Sequence, residues 1–400
     1  MAAKKGVFIS IVSDKTGCLP YADEIEGITL TRIDRSKLMG FLERRALKRV
    51  ISENNADIIV WCGAPSSAIH LNHQLSQLET IGKPIVWEID MDIQNIMDLK
   101  HLSFRELLRP GHSLLLPKLL AMACSKPIIR CVGNSASVSR IVVPSQSLKN
   151  SLCRLGIDSN KISVILSTIE EKETRFLGAG EKNLFRSRLG FKQSDFIITY
   201  FGSPCTMRGT DTAVLSMKRI LASKRNTKLV LLSRRDPNDS SVEDNTSNNP
   251  GGQHSRDEEE YLRKLISKVG IENNVQIISG IMNRSDLINY LIVSDVIVLP
   301  FKYVFSEPPL SVLEAMSLGK AVITTKLSTL SEIMGNDRGI LIEPNSPRAL
   351  AQAVLNLMDH PEQSASIGKN AQRFVASLDN WDQVTQHFEV LLKRTLNGGS

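Results

Sequence analysis

The feature that most constrains this chain is a rhythm: short apolar, β-branched runs alternate with segments of helical period, and the series begins twice. In the first half the runs are Val7–Val12, Ile28–Ile33, Asp57–Trp61, Pro84–Ile89, Arg140–Val143 and Ile162–Leu166. Helical patterns lie between them at Ser36–Ile51, Ser66–Glu79 and Gln146–Leu155. The second half restarts with Phe196–Phe201, Lys228–Leu232, Val275–Ile278, Asp295–Leu299, Ala321–Thr324 and Gly339–Ile342, each followed by a loop and a helical segment. A strand buried on both faces reads as a continuous apolar run, and an intervening helix supplies the crossover that parallel pairing needs. The pattern predicts an α/β chain of two Rossmann-like, doubly wound domains, 1–185 and 190–375, joined near 172–195. Ligands of such sheets bind outside the carboxyl ends of the strands. Pro361–Ser377 and Trp381–Leu396 read as amphipathic helices with no strand after them, bracing the domains.

One stretch breaks the rhythm. Asp236–Glu260 is rich in Asp, Asn, Ser, Gly and Glu with almost no apolar residue, so burial cannot offset the entropy of ordering it; it is expected to be a disordered surface insertion.

Charge and cysteine usage bound the partners. The net charge is +7. Residues 1–190 hold 26 Lys and Arg against 19 Asp and Glu, and 191–400 hold 23 of each. The asymmetry points to a polyanion, an anionic membrane surface or an anionic substrate on one side of the molecule. The six cysteines, at 18, 62, 124, 131, 153 and 205, form no Cys-x-x-Cys and have no His-x3-His partner, so they read as reduced thiols of a cytoplasmic protein without a zinc site. Val7–Val12 is too short for a signal-peptide core, and no run approaches the ~18 apolar residues of a spanning helix. A soluble protein, or one peripheral on the cytoplasmic membrane face, is expected.

Two segments carry anion-binding chemistry. In Phe305-Ser-Glu-Pro-Pro-Leu-Ser-Val-Leu-Glu-Ala-Met-Ser-Leu-Gly319, directly after a strand, Pro309 suits a first helical position and Gly319 a helix end. The unpaired N–H groups of that first turn, with the helix dipole behind them, form an anion site. Glu314, about one and a half turns further in, can accept two ribose hydroxyls while the helix start holds phosphate; Glu307, in the loop, can address a sugar at the crevice mouth. A solvated Glu on an ordinary helix start is the competing reading. In Tyr200-Phe-Gly-Ser-Pro-Cys-Thr-Met-Arg-Gly209, Gly202 lets backbone approach a ligand, and Arg208 brings a forked cation to a diphosphate. This segment follows the first strand of the second domain, where a doubly wound sheet holds phosphates.

Together with Ser294-Asp-Val-Ile-Val-Leu-Pro300, these residues resemble the nucleotide-sugar domain of the GT-B glycosyltransferases of family 4, which are retaining enzymes. The resemblance covers nearly the whole chain. Val142-Val-Pro-Ser-Gln-Ser-Leu-Lys149 with Lys161-Ile-Ser-Val-Ile-Leu166 is similar to the end of the family's acceptor domain, and Trp381 marks a helix, 376–400, that crosses back onto that domain. The resemblance implies that Arg208 binds the donor diphosphate, Glu314 the ribose, and Ser306, Glu307, Pro309 and Leu310 the distal phosphate and the transferred sugar. Gly280 and Ile281 resemble the turn whose backbone meets the base. The donor is expected to be a UDP- or GDP-linked hexose, the acceptor a hydroxyl of a glycolipid or glycan, and no cofactor or metal is expected.

Several positions depart from the family. Its two glutamates are separated by seven residues, whereas Glu307 and Glu314 have six between them, so Ser306 stands in register with the first. Either the loop brings Glu307 in, or that carboxylate is absent. Ser203 replaces a second cation. Where the family has a His after the fourth strand, Trp87-Glu-Ile-Asp-Met-Asp92 offers Asp90, which can stabilise an oxocarbenium-like centre or take the acceptor proton. Gly17 is the only glycine of the loop after the first strand. Asp90-Met-Asp92 also matches a three-residue metal motif of the other glycosyltransferase fold, but a second complete βα series argues against that fold. The catalytic candidates are therefore Asp90, Arg208 and Glu307. A non-catalytic sugar-nucleotide binder and an epimerase of the same fold are the alternatives.

The basic excess concentrates in Arg32–Arg49, with seven cations against Asp34 and Glu43, and in Leu99–Ile157, with nine against Glu106. Amphipathic basic segments suit an anionic lipid interface at about 1 kcal/mol per cation; a solvated basic face over an ordinary core is the competing reading. Nucleic acid is not expected, because no aromatic or recognition-helix pattern accompanies the charge.

Overall fold

The computed structural model describes residues 10–14, 22–25, 28–33, 44–63, 68–90, 126–169, 179–234, 250–280, 282–304 and 307–398. They fall into two compact units. The first takes those within 1–94, 120–166 and 381–400, the second those within 167–380.

The first unit holds two sheets. β1 (Ser10–Asp14) pairs parallel with β3 (Ile28–Ile33), and β2 (Ala22–Ile25) pairs antiparallel with β3 in register Ile25↔Ile28. This antiparallel strand was not expected. Two residues separate β2 from β3 in the sequence, which permits a hairpin and is far short of a parallel crossover. The other sheet is wholly parallel, in the order β4 (Ile59–Gly63), β5 (Ile85–Ile89), β6 (Val138–Val143), β7 (Ile162–Val164). β5 lies inside, and Ile85, Val86, Trp87 and Ile89 are all buried, as the continuous apolar run requires. Helices α1 (Arg44–Glu53) and α2 (Ala68–Ile81), the helical residues 126–134, and α3 (Gln146–Arg154) contribute their apolar stripes to the core. In α2 that stripe is Ala68, Leu71, Leu75 and Leu78, at three- and four-residue spacing. The Ser145 hydroxyl oxygen accepts the Leu148 N–H at 3.1 Å and fixes the start of α3.

The second unit is one six-stranded parallel sheet in the order β10 (Val275–Gly280), β9 (Thr227–Arg234), β8 (Phe196–Gly202), β11 (Val296–Leu299), β12 (Val322–Thr325), β13 (Ile340–Ile342). The chain starts in the middle, winds outward one way, then returns to wind outward the other way. Strand order therefore reverses between β8 and β11, the point at which doubly wound sheets bind ligands outside the carboxyl ends of their strands. Among the described residues eight helices cover the faces: α4 (Ala179–Arg188), α5 (Thr210–Ser223), α6 (Pro250–Val269), α7 (Arg284–Val293), α8 (Leu310–Ser317), α9 (Ser328–Ile333), α10 (Pro347–Asp359) and α11 (Pro361–Ser377). The last helix, α12 (Trp381–Leu396), belongs to the first unit, where Leu391 is buried against Val86 and Val142.

Two sequence expectations change. Residues 167–169 and 179–185 group with the second unit rather than the first: Ile169 lies in its core, and buried Arg186 of α4 donates to both carboxylate oxygens of Asp295 at 2.6 Å. In the expected insertion, 236–249 lie outside the described residues, whereas 250–260 are helical. They are the first turns of α6, which buries Leu262 and Ile266 against the sheet. Glu258 is itself buried, and its carboxylate accepts the Thr206 N–H at 3.2 Å. A charged run without apolar residues is thus ordered through a partner 52 positions away.

Candidate functional site

The site is built by the two loops that flank the switch point. β8 ends at Gly202, where φ is +134°, and the chain turns through a short helical segment, Thr206–Arg208, into α5. Gly209 caps α5 with φ +81°, and a Cβ there would run into the Pro300 carbonyl at the end of β11. The loop after β11 lies on this turn, with the Lys302 and Tyr303 N–H groups donating to the Met207 carbonyl at 2.9 and 3.1 Å. Glycine at 209 is what lets the two loops meet. Lys302 then reaches Asp211, in the first turn of α5, at 2.7 Å, with both side chains buried.

Arg208 leans over the first loop, its Nη1 within 3.5 Å of where a Gly202 Cβ would be. Beneath it the Tyr200 hydroxyl donates to the Ser203 carbonyl at 2.6 Å, and burial raises the phenol pKa while the Arg208 charge opposes the rise. Burial, followed by the Glu258 charge, pushes the Cys205 thiol up to about 11, so it is held neutral.

The second loop ends in α8. The sequence put Pro309 at the first helical position; in the structure it is the N-cap residue, with φ −61° and ψ 112°, and Leu310 begins the helix. Val312 N–H closes back on the Pro309 carbonyl at 2.9 Å. Among the described residues no N-cap side chain closes α8; at α5 the N-cap is Gly209, and the Asp211 carboxylate accepts the first-turn Thr212 N–H at 2.8 Å. Leu310 is 45% exposed, so this helix start opens outward. An open helix start at α8 beside the Arg208 guanidinium at one switch point suits an anion such as phosphate. Glu314 lies half-buried on α8 in its second turn.

Glu307 is 5% exposed, and the hydroxyl of Thr329 on α9 donates to its Oε2. The carboxylate is held inside the unit. Gly280 ends β10 with φ +122°, and the preceding Ser279 hydroxyl donates to Glu259 of α6 at 2.6 Å. At the carboxyl ends of β9 and β12, the buried hydroxyls of Ser233 and Thr325 have no partner among the described residues. Gly17, Ile281 and Ser306 lie outside the described residues.

Asp90 is in the first unit, directly after β5. Burial first, then the neighbouring Glu88 charge, raises its carboxyl above the usual range, and its own backbone N–H opposes the rise. Glu88 is held from the next strand by the Cys62 thiol, which donates at 3.0 Å. Among the described residues no three His, Cys, Asp or Glu side chains gather as metal ligands, and no helix is long and apolar enough to cross a membrane.

The structure thus brings Gly202, Ser203 and Arg208 on one loop beside Glu307 and Pro309 on the next, with Leu310 and Glu314 on the helix that follows, α8, and Gly280 two strands away. Sequence reasoning missed Glu258, Lys302, Asp211 and Thr329, whose partners lie far along the chain. The one local signal was a lysine at 302 within the otherwise apolar stretch Pro300–Val304.

Two Rossmann-like units, the second with a topological switch point between β8 and β11, make this a GT-B fold. Residues 181–374 match the family model described as "Glycosyl transferases group 1". D-inositol 3-phosphate glycosyltransferase 2 of Catenulispora acidiphila is 23% identical over 259 residues, 63% of this chain and 56% of that protein. The chain thus spans little more than half the length of this curated relative. Sucrose-phosphate synthase from Thermosynechococcus elongatus superposes with a TM-score of 0.72 at 17% identity, covering 99% of this chain and 91% of that one. Anabaena HepE, solved in complex with UDP-glucose, superposes with a TM-score of 0.64 at 15% identity, covering 92% of this chain and 86% of that one.

Proposed function

We propose that this protein is a retaining glycosyltransferase that moves a hexose from a nucleoside-diphosphate sugar to an acceptor hydroxyl on a glycolipid or glycan. The observation that carries the reading is the open start of α8, with Arg208 on the adjoining loop, at the switch point of a domain that matches the group 1 glycosyltransferases. The diphosphate is held by the N–H groups of that helix start and by Arg208, and the ribose by Glu314. UDP is the favoured carrier, since HepE was solved with UDP-glucose. As the sugar–phosphate bond breaks, charge grows on the leaving diphosphate, where preorganised dipoles and a fixed guanidinium stabilise it most. The diphosphate oxygen then takes the proton of the hydroxyl that attacks from the same face, so configuration is retained. With the charge met by dipoles and Arg208, no metal is needed. Glu307, braced by Thr329, shapes the sugar end of the pocket. Asp90 serves the acceptor side, and the basic first half keeps the protein beside an anionic membrane face in the cytoplasm.

The test is a thermal-shift screen of UDP-, GDP- and ADP-sugars, followed by turnover with lipid and soluble acceptors in the presence of EDTA. Glu314→Gln should weaken donor binding, Asp90→Ala should lower kcat, and the anomeric coupling of the product should match that of the donor. A donor that shifts the melting temperature but is never transferred, with Asp90→Ala silent, would mark a binder rather than an enzyme. Conversion of the donor without acceptor would mark an epimerase.

A further inference from the structure

Outside the candidate donor site the described residues hold a second concavity, an open cavity of ≈ 880 Å³ on the helical side of the first unit. Among the described residues its lining includes Leu75 and Leu155, the cations Lys126, Arg130 and Arg154, and Glu79 as the one carboxylate. All three cations are exposed, and among the described residues none meets a carboxylate. Arg154 donates to Ser151 at 3.0 Å.

Helix ends often gather cations to satisfy their last carbonyls. Here other groups already do so. Lys161 donates to the Ser135 carbonyl at 2.9 Å, and Asn134 donates to the Gly156 carbonyl at 3.0 Å. Arg130 and Lys126 are therefore not needed as caps. They stand four residues apart on the helical residues 126–134, where like charges repel and cost stability unless an anion lies between them. Arg130 also reaches across to the end of α3, its Nε 3.3 Å from where a Gly156 Cβ would be. The guanidinium thus approaches the end of the helix that carries Arg154. The scaffold beneath is tight, because a Cβ on Gly133 would lie 2.6 Å from the Ile157 side chain.

We propose that this cleft binds a phosphate group, with Arg130 and Arg154 as forked donors and Lys126 as a point charge. The phosphate is carried either by a free phosphorylated metabolite or by an anionic lipid headgroup, which present the same chemistry to these cations. The site is distinct from the donor pocket and does not depend on the proposed transfer reaction.

The experiment is titration with inorganic phosphate by calorimetry, and co-sedimentation with vesicles of phosphatidylglycerol and phosphatidylcholine in equal parts. Both are run on the full chain carrying Arg208→Gln, which disables the donor pocket, with and without Arg130→Gln and Arg154→Gln. Binding of either probe that falls at least tenfold with the added pair supports the site. Loss of phosphate binding identifies a soluble ligand, and loss of vesicle binding alone identifies a headgroup. Binding of neither probe, or binding unchanged by the added pair, overturns the proposal. The substituted side chains are exposed, and an unchanged melting curve shows that the fold is intact.

Discussion

The ammonium of Lys302 lies 2.7 Å from the Asp211 carboxylate, and both side chains are almost wholly removed from water. One belongs to the loop after β11, the other to the first turn of the helix after β8. The pair joins the two loops at the switch point, and it places a second cation behind the Gly202–Gly209 turn with a carboxylate already beside it.

Breaking this pair by removing one partner leaves a buried charge without its counterion. Lys302→Met or Asp211→Asn should each lower unfolding free energy by about 3–5 kcal/mol, read from urea denaturation. A loss below 1 kcal/mol in both would show that the pair is solvated.

Gly209→Ala should destabilise the protein and weaken nucleotide binding together. The residue sits at φ +81°, and the added methyl meets backbone rather than a movable side chain. Strain and overpacking together predict a loss of about 2–4 kcal/mol. Gly202→Ala, whose Cβ would meet only Arg208 and Tyr200 at ordinary contact distances, should cost less. Equal melting temperatures for the two variants would contradict this account.

Arg208→Gln should leave the melting temperature of the ligand-free protein unchanged and weaken nucleoside diphosphate binding. Loss of charged hydrogen bonds worth about 1.5–3 kcal/mol corresponds to roughly ten- to hundredfold in Kd. Calorimetry with UDP and with uridine separates the causes, since the effect should vanish when the ligand has no phosphate.

Lys320 gives a pH signature. Burial, followed by the Lys182 charge, brings its ammonium down to about 7, and it donates to the carbonyls of Ile292 and Ser294. Between that value and the ordinary lysine value of 10.5 the unfolded chain binds more protons than the folded one. Stability from this residue therefore rises with pH across that window and is least below it. Lys320→Met should remove the slope, as followed by denaturation midpoints from pH 6 to about 10.

The strands were legible because each is a local pattern. β3 begins and ends where its apolar run does, and all six strands of the second sheet fall within two residues of their runs. The loops Gly202–Gly209 and Glu307–Leu310 were legible for the same reason, since glycine and proline act on their own backbone. Glu258 was not legible. Its flanking residues are those of a solvated run, and the Thr206 N–H that its buried carboxylate accepts lies 52 positions away. The grouping of α4 was not legible either: it has little local signal, and its Arg186 finds its partner Asp295 109 positions away.

By itself, the sequence determined the α/β class, the doubled βα series and the two loops that form the candidate site, because helix and strand periods and glycine and proline stereochemistry are properties of neighbouring residues. Only the tertiary structure decided the sheet order that makes β8 and β11 neighbours. It alone set the partners of Glu307, Lys302 and Glu258, and the return of α12 to the first unit. Those outcomes depend on which buried charge finds which donor across tens of residues, and burial without a partner is the costliest arrangement a folded chain can hold.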